Sequence, residues 1–76
     1  MILSETKAGV YKVDGILLNV RLRRRLCALG IVNRSEMTVL RARRGCPAVV
    51  SALGAKYALG RSIADGILLS PKERDT

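Results

Sequence analysis

The apolar residues of this chain fall into short runs, each broken within a few residues by Gly, Asp-Gly, Asn or Pro, and only one run repeats at helical spacing. That pattern points to a small sheet with a single helix let into it. Val10 to Leu18 reads as the first strand, with Asp14-Gly15 as a bend or bulge within or after it. Next, Leu22, Leu26 and Leu29 share one stripe of a helix over Arg21 to Gly30, with Arg23 and Arg25 flanking the stripe and Arg24 opposite it. Asn19 is placed as its N-cap and Gly30 as its C-terminal cap.

Beyond the helix, Asn33-Arg34-Ser35 reads as a turn and Glu36 to Ala42 as a strand carrying β-branched Thr38 and Val39. Arg43 to Pro47 is a second turn, basic at its tip, and Ala48 to Leu53 pairs with Ala55 to Leu59 as a hairpin reversing at Gly54. Arg61 to Ala64 has the length of one helical or 3₁₀ turn, and Asp65-Gly66 leads into a last strand, Ile67-Leu68-Leu69. The expectation is one domain over residues 1–70 and a charged, disordered tail over 71–76. Five short strands with one inserted helix give a mainly-β, strongly bent antiparallel barrel, because closure spares so small a sheet long unpaired edges.

At 76 residues the core is thin, since a chain of this size buries only about 60% of its unfolded surface. With no Trp, no Phe and only Tyr11 and Tyr57 as aromatics, that core must be aliphatic. Leu22, Leu26, Leu29, Val39, Val50 and Leu59 are expected in it, with Tyr57 facing it. The absence of His removes imidazole catalysis and ligation, and two cysteines cannot build a tetrahedral thiolate site. Cys27 falls about 140° from the leucine stripe and should be partly exposed; Cys46 lies in a turn, and a Cys27–Cys46 disulfide has no support. The carboxylates Glu5, Asp14, Glu36 and Asp65 are scattered singly, so no metal site and no cofactor are expected. There is no nucleophile–base pair and no phosphate loop, which argues against an enzyme. The start carries no basic leader with a long apolar stretch, and no run nears the roughly 20 apolar residues of a membrane span. A cytoplasmic location is expected.

The run Leu22-Arg23-Arg24-Arg25-Leu26 through Leu29-Gly30-Ile31, then Glu36-Met37-Thr38-Val39-Leu40, resembles the ferrous-iron transport protein A family (FeoA). Gly54 to Leu59, Arg61-Ser62, Ala64 and Ile67-Leu68 continue the resemblance, which spans Leu3 to Leu69 in the family's order. It implies an SH3-like β-barrel with an inserted helix. It further implies a small accessory protein of Fe²⁺ uptake, with the iron and transition-metal-ion vocabulary of that family, that supports a membrane GTPase-permease of the FeoB type. The same barrel ends iron-dependent repressors as an interaction domain. Members often carry Pro-Gly where this chain has Asn33-Arg34, Asp where it has Cys46, Arg at the position of Gly60 and Glu at that of Ile63.

Fourteen Lys and Arg against six Asp and Glu leave a net charge of +8, which favours a negatively charged partner. Arg21, Arg23, Arg24 and Arg25 could join Arg41, Arg43 and Arg44 in one basic surface if helix and turn share a side. Along Ala48 to Leu53, Ala48, Val50 and Ala52 should face inward, leaving Val49 and Leu53 outward as an apolar contact. Sheet-edge pairing through that strand is one route to a homo-oligomer. The expected partner-binding residues are therefore Arg23, Arg24, Arg25, Arg43, Arg44, Val49 and Leu53. A nucleic-acid-binding or regulatory barrel is the other class. Two tyrosines are few for base stacking, so nucleic acid is disfavoured.

Overall fold

The computed structural model describes residues 1–43 and 46–72. Five antiparallel strands form one sheet: β1 (Gly9–Ile16), β2 (Glu36–Arg41), β3 (Ala48–Ala52), β4 (Ala55–Leu59) and β5 (Ile67–Pro71), in the order β4-β3-β2-β1-β5. Helix α1 (Val20–Ala28) follows β1, and a single helical turn α2 (Arg61–Ala64) precedes β5. A 3₁₀ turn over Leu3–Glu5, which no local pattern announced, buries Leu3 and packs near α2. The architecture is the expected SH3-like one, mainly β with a short helix after the first strand and another before the last.

Strand β1 ends at Ile16 rather than Leu18, and the Leu17 amide still donates at 2.7 Å to the carbonyl of Gly66, the residue just before β5. The bulge falls where Asp14-Gly15 suggested it, between Val13 and Gly15 in the β1–β5 register. A second one, between Val39 and Arg41, ends β2 one residue before Ala42. Strand β5 runs past Leu69 through Ser70 to Pro71, and Lys72 reaches Glu36 at 2.7 Å. Residues 73–76 of the expected tail lie outside the described residues. The free side of β5 is covered by the chain start: the Met1 amino group donates to the Leu69 carbonyl at 2.7 Å, and Ile2 bridges Leu68.

The hairpin departs from expectation at its turn. Ala52 pairs with Ala55, so Leu53 and Gly54 are the whole turn and Leu53 is not a strand residue. Both have positive φ, 51° and 81°, the pattern of a type I′ reversal. A leucine there crowds its Cβ against its own carbonyl, a conformation that costs about 1–2 kcal/mol. Strand β3 lies between β2 and β4, so the sheet-edge pairing expected through Val49–Leu53 is not open to it. The sheet edge on that side belongs to β4.

Inside, Leu26, Val39, Val50 and Leu59 are buried as expected, joined by Leu3, Val13, Ile31, Met37, Ile67 and Leu69. Leu22 and Leu29 are not core residues; both are half-buried, with Leu29 packed at the core margin. Of the three stripe leucines only Leu26 is enclosed, while Leu22 and Leu29 line an open recess with Tyr57, Leu59 and Ile63. Tyr57 faces the core and packs against its edge. The one buried polar residue among those described, Thr6, donates its hydroxyl to the Leu3 carbonyl at 2.9 Å.

Candidate docking surface

Helix α1 owes its position to its two ends. At the start, the Asn19 side-chain oxygen accepts the Leu22 amide at 2.9 Å, satisfying one of the free donors of the first turn. At the end, the Gly30 amide donates to the Cys27 carbonyl at 3.0 Å and the Ile31 amide to the Leu26 carbonyl at 2.9 Å. That pair of bonds is a Schellman motif, with Gly30 in the left-handed region at φ 89° and Ile31 and Leu26 both buried behind it. A Cβ on Gly30 would clash with the end of the Leu53 side chain, so the helix end and the hairpin tip meet at a position whose left-handed backbone favours glycine.

The following turn is held just as firmly. Ser35 donates its amide to the Val32 carbonyl at 3.0 Å, and its hydroxyl bonds both polar groups of Val32. Arg34 takes φ 71°, in the left-handed region. Two further backbone bonds, Arg34 amide to Val13 carbonyl and Val13 amide to Ser35 carbonyl, zip this turn onto β1.

Between the helix and this loop lies an open groove of about 470 Å³, floored by Ile16, Val20, Ile31 and Val32 and walled by Arg23, Arg24 and the exposed thiol of Cys27. Val20 is 59% exposed and Val32 38%. No acidic residue lines the groove, and among the described residues no carboxylate forms an ion pair with an arginine of α1. A larger recess between β1, β2 and β5 differs, because Glu36 and Lys72 there already satisfy each other. The groove escaped the leucine-centred reading. Its signal is a second helical repeat, Val20, Arg24 and Cys27 at i, i+4 and i+7, on the face away from the leucines.

The other expected contact residues are dispersed. Arg25 lines a shallow recess on the opposite flank of α1, beside Tyr57 and Ile63. Arg43 sits with Glu5, Arg61 and Asp65 near the 3₁₀ turn, in a recess separate from that of Arg23 and Arg24. Arg44 lies outside the described residues. Arg41 is exposed opposite Val49 in the β2–β3 register, and Val49 is half-buried beside Ala58. Leu53 is 86% exposed at the hairpin tip. The helix arginines and Arg43 thus line different recesses rather than sharing one.

Neither aromatic offers a stacking platform, since Tyr57 packs against the core and the Tyr11 hydroxyl donates to the Lys7 carbonyl at 2.8 Å. Three of the four carboxylates singled out have partners: Asp65 accepts from the Ser4 hydroxyl, Asp14 from the Ser70 hydroxyl, and Glu36 pairs with Lys72. Among the described residues no three His, Cys, Asp or Glu side chains gather as a metal site, and both cysteines are free. Among them, too, no helix is long and apolar enough to cross a membrane.

The family model for the FeoA domain matches residues 1–71. Among curated proteins none matches the chain. The solution structure of a FeoA protein from Chlorobium tepidum is 36% identical, covers all of this chain and 74% of its own, and superimposes with a TM-score of 0.83. The crystal structure of an iron uptake regulatory protein, FeoA, is 26% identical over 91% of this chain and 93% of its own, with a TM-score of 0.81. An iron(II) transport protein A from Clostridium thermocellum, 22% identical over 93% of this chain and 45% of its own, shares the fold with a TM-score of 0.82. A barrel with this helix insertion, matched along nearly its whole length, belongs to the FeoA domain family, the non-enzymatic accessory proteins of ferrous-iron transport.

Proposed function

We propose that this protein works by contact, docking on the cytosolic part of a FeoB-type GTPase-permease for Fe²⁺. The observation that carries this reading is the unneutralised cationic face of α1, set beside exposed aliphatic surface on a protein of this family. Arg23, Arg24 and Arg25 steer the encounter with an acidic partner surface, a contribution that salt weakens. Leu53 supplies a second, protruding apolar contact, with Val49 and Arg41 on the neighbouring outer face of the sheet. Iron is the cargo of the permease. Without imidazole, and with Asp14, Glu36 and Asp65 engaged in hydrogen bonds or ion pairs, this chain is not built as the carrier.

Calorimetric titration against the permease's cytosolic domain tests the reading, using the wild type and a variant with Arg23→Glu, Arg24→Glu and Arg25→Glu. Binding by the wild type that weakens sharply in the variant is the expected result. If neither protein binds, docking is wrong; equal binding by both removes the basic face as the contact.

A further inference from the structure

The groove beside α1 makes two demands on an occupant at once. Its floor needs aliphatic surface, because Val20 and Val32 are left open to water above buried Ile31. Its wall needs negative charge, because Arg23 and Arg24 stand there with no acidic residue in the lining. The helix adds to the second demand: beyond the neutral Asn19 cap its first turn holds no acidic residue, so no carboxylate there offsets the positive end of the helix dipole. The volume, about 470 Å³, falls within the roughly 300–1,000 Å³ of small-ligand clefts, and the groove is open along one side.

Three kinds of anionic occupant meet the charge demand, and the floor separates them. A single-stranded nucleic acid brings phosphates but calls for aromatic platforms, and no aromatic residue lines the groove. An anionic bilayer presents a broad headgroup plane to a surface, whereas the aliphatic floor here lies in a depression. A peptide that carries carboxylates on either side of an aliphatic residue satisfies floor and wall together. We propose that the α1 groove captures such an acidic, aliphatic-anchored segment, seating the aliphatic side chain between Val20 and Val32 and its flanking carboxylates on Arg23 and Arg24. The proposal rests on the docking reading above and names the chemistry of the partner segment.

Cys27 makes the groove report on itself, since its exposed thiol lies in the wall. In a Cys46→Ser background it is the only thiol of the chain. The experiment follows its alkylation by N-ethylmaleimide in the presence of a synthetic peptide with two central leucines flanked on each side by two aspartates. One control peptide replaces leucine by serine and another replaces aspartate by lysine; phosphatidylglycerol vesicles and oligothymidine complete the set. The expected result is alkylation slowed about tenfold once the leucine–aspartate peptide reaches about ten times its Kd. Both control peptides should leave the rate unchanged, and Arg23→Glu with Arg24→Glu should abolish the protection. Absence of protection, equal protection by the serine peptide, or stronger protection by vesicles or oligothymidine overturns the proposal. The permease's cytosolic domain serves as a separate probe. If it binds the wild type while Cys27 stays fully reactive, the groove proposal fails and docking stands. If it does not bind while the leucine–aspartate peptide protects, docking fails and the groove stands.

Discussion

The groove beside α1 and the hairpin tip at Leu53-Gly54 both put aliphatic side chains into water, and they do so by different means. In the groove, Val20 and Val32 lie in a depression between a capped helix and a hydrogen-bonded turn, with arginines on the rim. At the tip, a single leucine projects from a reversal whose backbone it fits poorly, at φ 51° and 86% exposed. The first is a shaped, charged receptor surface held by helix caps and a hydrogen-bonded turn, in which Arg34 also takes a left-handed φ of 71°; the second is a convex anchor whose left-handed leucine has no such side-chain frame around it. The difference teaches that exposure alone does not define a site. Concavity together with one-signed charge says what could bind, whereas strain at a tip says only that something has kept a poor turn residue in place. The two regions meet at Gly30, where the helix end lies against the Leu53 side chain.

Substitutions can break this comparison at several depths. The deepest is Leu26→Ala, which removes the buried member of the leucine stripe and the partner of Ile31 beneath the groove. It should cost about 2–5 kcal/mol in a urea unfolding experiment. Leu22→Ala, half-buried, should cost only about 1 kcal/mol. Gly30→Ala strikes the junction of the two regions and should lose about 1–2 kcal/mol from the left-handed backbone alone. Because its new methyl meets the flexible end of Leu53, adding Leu53→Gly should recover part of the loss; strict additivity in that double-mutant cycle would separate the two regions. Asn19→Ala, which releases the cap at the groove's end of the helix, should lower stability by about 1 kcal/mol. The smallest effect has the opposite sign. Leu53→Asn puts a residue suited to the left-handed turn at the tip and should raise stability by up to about 1 kcal/mol, seen as a higher Tm.

Much of the frame was readable from the chain because local chemistry dictated it. Asn19 and Gly30 bracket the helix, Asp14-Gly15 marks the bulge, and Gly54 marks the reversal. At Asn19 a side-chain oxygen caps the helix, and at Gly30 and Gly54 a left-handed φ favours glycine. What was not readable depends on partners distant in sequence. Leu53 continues an apolar alternation and gives no sign that the turn begins one residue early. Leu3 enters the core only because the chain start crosses β5 and meets α2. The groove joins Ile16, Val20, Ile31 and Val32 from a strand end, a helix start and a loop. Their shared surface exists only after the turn at Asn33-Arg34 is zipped onto β1.

Nuclear magnetic resonance of the ¹⁵N-labelled chain, titrated with the permease's cytosolic domain, tests the central claim most directly. The account predicts that the largest amide shifts fall on Val20 to Cys27 and on Ile31 to Asn33, with smaller shifts at Leu53 and Gly54. Shifts confined to the hairpin tip and β4, with the α1 groove silent, would contradict it.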